Sequence, residues 1–167
     1  MTNTETLRGY FVSDLHLFTR RSTGEEALPD LKANVRRAHT LVLGGDIFDF
    51  KWSTHPTFDH SLDMAIDWLE ALRMENPNCD FHFVLGNHDC HPRFIERLKV
   101  YAEHQPRFTW HPYYVRLEQC LFLHGDVVAK GAHDHDVLDR HREKHHHRKN
   151  KPEVSHLAYD VAVRARL

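Results

Sequence analysis

Short apolar runs, each followed at once by a polar motif, set the pattern of this chain. Tyr10-Phe11-Val12, Thr40-Leu41-Val42-Leu43, Phe81-His82-Phe83-Val84-Leu85 and Cys120-Leu121-Phe122-Leu123 are rich in β-branched and aromatic residues. Runs of this kind predict strands buried on both faces. Between them, residues 57–75 carry Leu62, Ala65, Ile66, Leu69 and Leu72 at helical spacing, and Asn76-Pro77-Asn78 stops the pattern. A shorter helix is predicted over 31–38, and Pro92 opens another with Phe94, Ile95, Leu98 and Tyr101 on one face. Residues 17–28 are polar, contain Gly24 and end at Pro29, so they read as a loop crossing a rim. Residues 113–117 and 120–123 predict a hairpin around Glu118-Gln119. A βαβαβ unit followed by a hairpin predicts a layered α/β sandwich.

The polar motifs carry the chemistry. They are Ser13-Asp14-Leu15-His16, Gly44-Gly45-Asp46-Ile47-Phe48-Asp49, Gly86-Asn87-His88-Asp89 and His124-Gly125-Asp126. Each falls at the carboxyl end of a predicted strand, where open α/β sheets bind their ligands. One edge thereby collects Asp14, His16, Asp46, Asn87 and His124. Carboxylate, imidazole and amide oxygen together suit two divalent ions of intermediate hardness, Mn first and Fe or Zn next. Asp46, delivered by a double glycine, is the expected bridging carboxylate. Asp14 and His16, two apart in an extended segment, are expected to share one ion, with Asn87 and His124 on the other. His88 is then free to protonate a leaving oxygen or to stabilise developing charge. Asp49 is the expected acceptor of its ring N–H, with Asp89 as a rival. Substrate contacts are expected from Asn87, His88 and the rim-loop Arg20 and Arg21.

Bulk properties narrow the partners. The 167 residues, 41% of them hydrophobic, suit one domain. A formal net charge of -2 gives no overall attraction to nucleic acid or to anionic membrane. The N-terminal residues lack the basic and apolar regions of a secretory signal, and three cysteines make no disulfide framework, so a cytoplasmic protein with free thiols is expected. Seventeen histidines are a large excess, but most are scattered singly and read as packed or solvated residues. Residues 139–153 hold no large apolar side chain and an excess of Lys and Arg, which predicts a solvated helix that contributes nothing to a core. A second helix is expected from Glu153, with Val154, Leu157, Val161 and Ala165 at apolar spacing.

Asp14/His16, Asp46/Asp49, Asn87/His88 and His124, in this order, resemble the calcineurin-like metallophosphoesterase superfamily. That resemblance implies a four-layer αββα sandwich with a core over about residues 8–127, two divalent metals, and hydrolysis of a phosphoester or diphosphate by a hydroxide they activate. It also implies the pairing of Asp49 with His88. Ser-Asp-Leu-His-Leu, Gly-Asp-Ile-Phe-Asp and His124-Gly125-Asp126 are similar to UDP-2,3-diacylglucosamine pyrophosphatases, whose helical insertion corresponds to residues 128–167 here. That similarity implies a small phosphorylated substrate, a nucleotide-linked lipid precursor, and peripheral contact with the inner membrane through the basic stretch. Those enzymes usually carry Arg where this chain has His88. The superfamily's final Gly-His-x-His is not present in its expected form. Gly131-Ala132-His133-Asp134-His135 contains a His-x-His, but His133 follows His124 by only nine positions. The fold is therefore expected without its C-terminal part, with a helical appendage near 133–167. A second sheet short of strands would expose an apolar edge and favour self-association. A non-catalytic phosphate-binding or scaffold protein with an incomplete metal site is the alternative.

Overall fold

Four parallel strands run side by side in the order of the chain. A computed structural model describes residues 8–128 and 135–146, and in it β1 (Gly9–Val12), β2 (Thr40–Gly44), β3 (Asp80–Val84) and β4 (Phe108–His111) form one sheet in the order β1-β2-β3-β4. The connections are α1 (Leu28–Val35), α2 (Phe58–Met74) and α3 (Pro92–His104). Right-handed crossovers between neighbouring strands place all three helices on one face of the sheet. Alternation along the strands matches this arrangement. Leu41, Leu43, Phe81 and Phe83 pack with Leu62, Ala65, Leu69, Leu72, Phe94 and Leu98 in the main core, while Val42 and Val84 face the other way.

That other face meets the antiparallel hairpin of β5 (Tyr114–Leu117) and β6 (Cys120–Leu123), through Val115, Leu117 and Phe122. Phe11 stacks on Phe122 at 5.7 Å. The architecture is mixed α/β, as expected, and the described residues supply three of the four expected layers: helices, parallel sheet and a two-stranded second sheet. Along the hairpin side Phe11, Tyr114 and Leu121 stay exposed. Gly9, Phe11, Thr40, Val42, His82, Arg116, Leu117 and Phe122 help to line a groove there of about 620 Å3.

Local chemistry explains the helix ends. Thr57 caps α2, its side chain accepting from the His60 backbone N–H, and the His91 ring accepts from Arg93 N–H at the start of α3 with Pro92 in the first turn. Pro29 likewise sits in the first turn of α1, so that helix begins three residues earlier than the sequence pattern suggests. A 3-10 turn over Gly24–Ala27 lies within the expected loop. β4 is a strand that the hydrophobic pattern did not reveal. It is four residues long, stands between Pro106 and Pro112, and has only Phe108 buried. The three cysteines are free thiols. Among the described residues no helix is long and apolar enough to cross a membrane.

The largest departure is α4 (His135–Glu143), whose last five residues fall in the stretch 139–153 read as a solvated helix. Within that stretch Arg142 is 5% exposed, and Leu138 just before it is buried, so this segment docks against the body of the fold. The helix expected from Glu153 and His133 lie outside the described residues.

Candidate metal centre

All four motifs emerge at the carboxyl ends of β1, β2, β3 and β6, and the backbone there is held in unusual conformations. Asp14, His16 and Asp46 have φ of 56, 45 and 53°, in the left-handed region that non-glycine residues rarely adopt. The segment from Asp14 to His16 is therefore not extended, contrary to the sequence reading. Its N–H groups bond across to the β2 loop, Asp14 N–H to Gly45 O at 3.0 Å, His16 N–H to Asp46 O at 2.9 Å and Leu17 N–H to Ile47 O at 2.8 Å. These long-range bonds over-determine the local strain, as is common where geometry serves a site.

Two glycines allow the loops to close on one another. Gly45, at φ +91°, lies where a Cβ would come within 2.7 Å of the His124 side chain. A Cβ on Gly86 would fall 2.2 Å from Asp46 Oδ1 and 2.5 Å from its backbone nitrogen. Asp89, fully buried, ties the same loops together: Oδ2 accepts from Ile47 N–H at 2.9 Å and Oδ1 from Gly86 N–H at 2.7 Å. Burial, with the Asp46 charge adding to it, pushes the Asp89 carboxyl up to about 7.

Asp46 stands at the centre. Its Oδ1 accepts from His88 N–H at 2.8 Å, while Oδ2 lies 3.5 Å from His124 Nε2 and 3.7 Å from His16 Nε2. Burial raises its pKa, and the surrounding imidazoles only partly oppose that. Two groups of ligand-type atoms result, each within 4.8 Å: Asp14, Asp46 and His124 in one, His16, Asp49 and His88 in the other. The structure thus brings Asp14 next to His124, with His124 Nε2 3.5 Å from Asp14 Oδ1, while His16 faces Asp46 and Asp49. Asp14 sits at the exposed rim and the others lie deeper.

Asp49 uses Oδ1 to accept from Trp52 N–H at 3.1 Å, and its Oδ2 lies 3.2 Å from His88 Nδ1. That nitrogen is buried and off the axis of a hydrogen bond. Both Asp89 oxygens are taken by backbone N–H groups, so Asp49 is the carboxylate that faces His88. Burial opposes a charge on the His88 ring, yet Asp49, then Asp46, hold its pKa above the ordinary value. Beside it opens a cavity of about 410 Å3 lined by His16, Thr19, Arg21, Ser22, Thr23, Asp49, Trp52 and His88. The Arg21 guanidinium stacks 4.2 Å over the Trp52 ring. Arg20 is exposed and not part of that lining.

Behind the site is a chain of contacts that the sequence reading missed. His124 Nδ1 pairs with Asp126 Oδ1 at 3.0 Å, which leaves Nε2 facing Asp14 and Asp46. Arg142 Nε donates to Asp126 Oδ2 at 2.7 Å, Nη1 to Pro112 O at 2.6 Å and Nη2 to Leu85 O at 2.9 Å. A carboxylate behind a ligating histidine fixes its tautomer and orientation. Although burial disfavours the charged ring, Asp126 and Asp46 push His124 up to about 9. The signal available in the sequence was Asp126, two residues after His124. Asn87 meets the same segment: its Nδ2 lies 3.5 Å from His145 Nδ1, and the His145 ring is 4.7 Å from that of His88. Burial and neighbouring cationic groups push His145 down to about 4.

These residues fit a pair of divalent cations. Buried carboxylates crowd around Asp46, and the donors are carboxylate and imidazole. A parallel sheet with such a cluster at its carboxyl edge suits a metal-dependent hydrolase. The family model for calcineurin-like phosphoesterases matches residues 7–161, and the chain belongs to that family. It is accordingly a phosphoric ester hydrolase of a family that generally uses two divalent metals. No curated protein matches the chain significantly.

Proposed function

We propose that this chain hydrolyses a phosphoester or diphosphate bond of a small phosphorylated substrate, with Asp14, His16, Asp46, Asn87 and His124 holding two divalent cations. The observation that carries the reading is the Asp46 carboxylate, one oxygen fixed by His88 N–H and the other lying between His16 and His124. When bound, the cations supply Lewis acidity toward the phosphoryl oxygens and toward an attacking water. Mn suits the mixed carboxylate, imidazole and amide set, and Fe and Zn suit it next.

The protein's own part is positioning and proton transfer. His88, its pKa raised beside Asp49, is placed to donate a proton to the departing oxygen. Asp49 orients that ring and stabilises its charge, while its second oxygen is fixed by Trp52 N–H. Arg21, at the mouth of the cavity, contacts the remaining phosphate oxygens. The family match favours this enzyme over a non-catalytic phosphate-binding scaffold. A nucleotide-linked lipid precursor is the substrate suggested by the likeness of the motifs to UDP-2,3-diacylglucosamine pyrophosphatases. The exposed hairpin side with Phe11, Tyr114 and Leu121 is compatible with self-association.

The test is Asp46→Asn in the full chain. Metal content by elemental analysis is expected to fall from about two ions per chain, and metal-dependent hydrolysis of a chromogenic phosphodiester to be lost, with the circular dichroism spectrum unchanged. Wild-type turnover by this variant would sink the assignment.

A further inference from the structure

The C-terminal end of α4 is pinned at several points around the site. Arg142 reaches Asp126, Leu85 O and Pro112 O from within the fold. The next turn is closed by His145 N–H to Arg142 O at 2.8 Å and His146 N–H to Glu143 O at 3.1 Å. Lys51 Nζ donates to Lys144 O at 3.2 Å, and His146 Nε2 lies 3.5 Å from Cys90 Sγ. Three positions after its anchor, the chain presents the half-buried His145 to Asn87 and His88. An unanchored histidine on a polar helix has no reason to meet the site, but this one is delivered there by a buried ion pair.

We propose that His145 is a ligand to the divalent cation held at Asn87. This rests on the two-metal reading above and deepens it. Asn87 meets His145 Nδ1 through Nδ2, and half a turn of the amide puts its neutral oxygen in that place; a neutral oxygen and an imidazole nitrogen side by side suit the same ions. Neither Asp14 nor Asp46 is needed for this contact, so the two sites are expected to respond differently to its loss. The role also gives α4 a function: it closes the metal centre from a part of the chain other than the strand ends.

Cobalt(II) titration of the full chain, followed by visible absorption, tests this. Wild type is expected to bind two ions. In His145→Ala, one site is expected to weaken by at least about 10-fold, with the other unchanged and added free imidazole restoring part of the loss. His145→Cys keeps a ligating atom and is expected to add a thiolate-to-cobalt charge-transfer band, which no structural role produces. Wild-type affinities at both sites in His145→Ala, or no such band in His145→Cys, would overturn the proposal. Asp46→Asn separates the two readings. Cobalt binding that survives Asp46→Asn unchanged removes the metal centre itself, whereas loss in Asp46→Asn with none in His145→Ala removes only the role of His145.

Discussion

Replacing Arg142 with Met removes the charge but keeps much of the volume, and the expected consequence is release of α4. Arg142 makes four bonds inside the fold, to both Asp126 oxygens at 2.7 and 3.3 Å and to the Pro112 and Leu85 carbonyls at 2.6 and 2.9 Å. The paired groups are 6% and 2% exposed, so solvent screens them little. Breaking such a buried pair from one side costs about 3–5 kcal/mol, mostly because the remaining charge is left uncompensated. Against this, Leu138 is the one buried apolar side chain of α4, and its burial contributes about 1.5–3 kcal/mol. A nine-residue helix has no stability of its own in water. The loss exceeds what remains, so the cheaper response is for α4 to leave and let Asp126 hydrate, while the sheet core persists. Amide hydrogen exchange is the assay: protection over residues 135–146 is expected to vanish in Arg142→Met and to persist over β1 to β3. Metal affinity should fall about 10-fold as Asp126, no longer fixed by Arg142, holds the His124 ring less firmly. Arg142→Lys keeps the charge without the fork and should fall between. Unchanged protection of α4 in Arg142→Met would refute the reasoning.

Two further outcomes follow from the same geometry. In Gly86→Ala the new Cβ would lie 2.2 Å from Asp46 Oδ1 and 2.5 Å from its backbone nitrogen, where ordinary contact begins at 3.4 Å, so the carboxylate and the loop that carries it must both shift by about 1 Å. A displacement of that size costs on the order of 100-fold in rate, so kcat/KM should collapse, alongside a stability loss of about 1–3 kcal/mol from the overpacked loop. Wild-type kinetics would show that Asp46 does not need its position. The second concerns pH in metal-free protein. His124 is raised from 6.5 to about 9 and Asp89 from 3.8 to about 7, so the folded state holds protons that the unfolded chain has released. Their contribution is fully present below the unfolded values and is lost as pH rises through the folded ones. Thermal melts in chelator should therefore show a falling melting temperature between pH 6 and 9, and divalent cation should oppose that fall because it binds the deprotonated ligands. A rising curve in chelator would contradict the proton inventory of the site.

How much of this was legible in the sequence depends on how local each cause is. Motif follows strand within three residues in β1, β2 and β3, so the strand-end placement of Asp14, Asp46 and Asn87 could be read from adjacency alone. The left-handed backbone at Asp14 and His16 could not, because it is imposed by bonds from the β2 loop some thirty residues away. β4 escaped because a four-residue edge strand between two prolines buries only Phe108 and carries little periodic signal. Arg142 escaped for the opposite reason: a polar helix face looks solvated until its partners are known, and Asp126 and Leu85 lie far back in the chain.

The same distinction decides what the many histidines mean. Their number predicts nothing, since His39, His82 and His111 are occupied with partners away from the site: His39 Nδ1 accepts from Arg8 N–H, and His82 and His111 face each other at 3.2 Å. What singles out His145 is its distance along the chain from a buried anchor. A guanidinium that must meet Asp126 fixes the register of the turn that follows, and that register brings one particular imidazole to Asn87. A cluster of histidines becomes part of a site only where an independent, buried interaction determines which of them arrives.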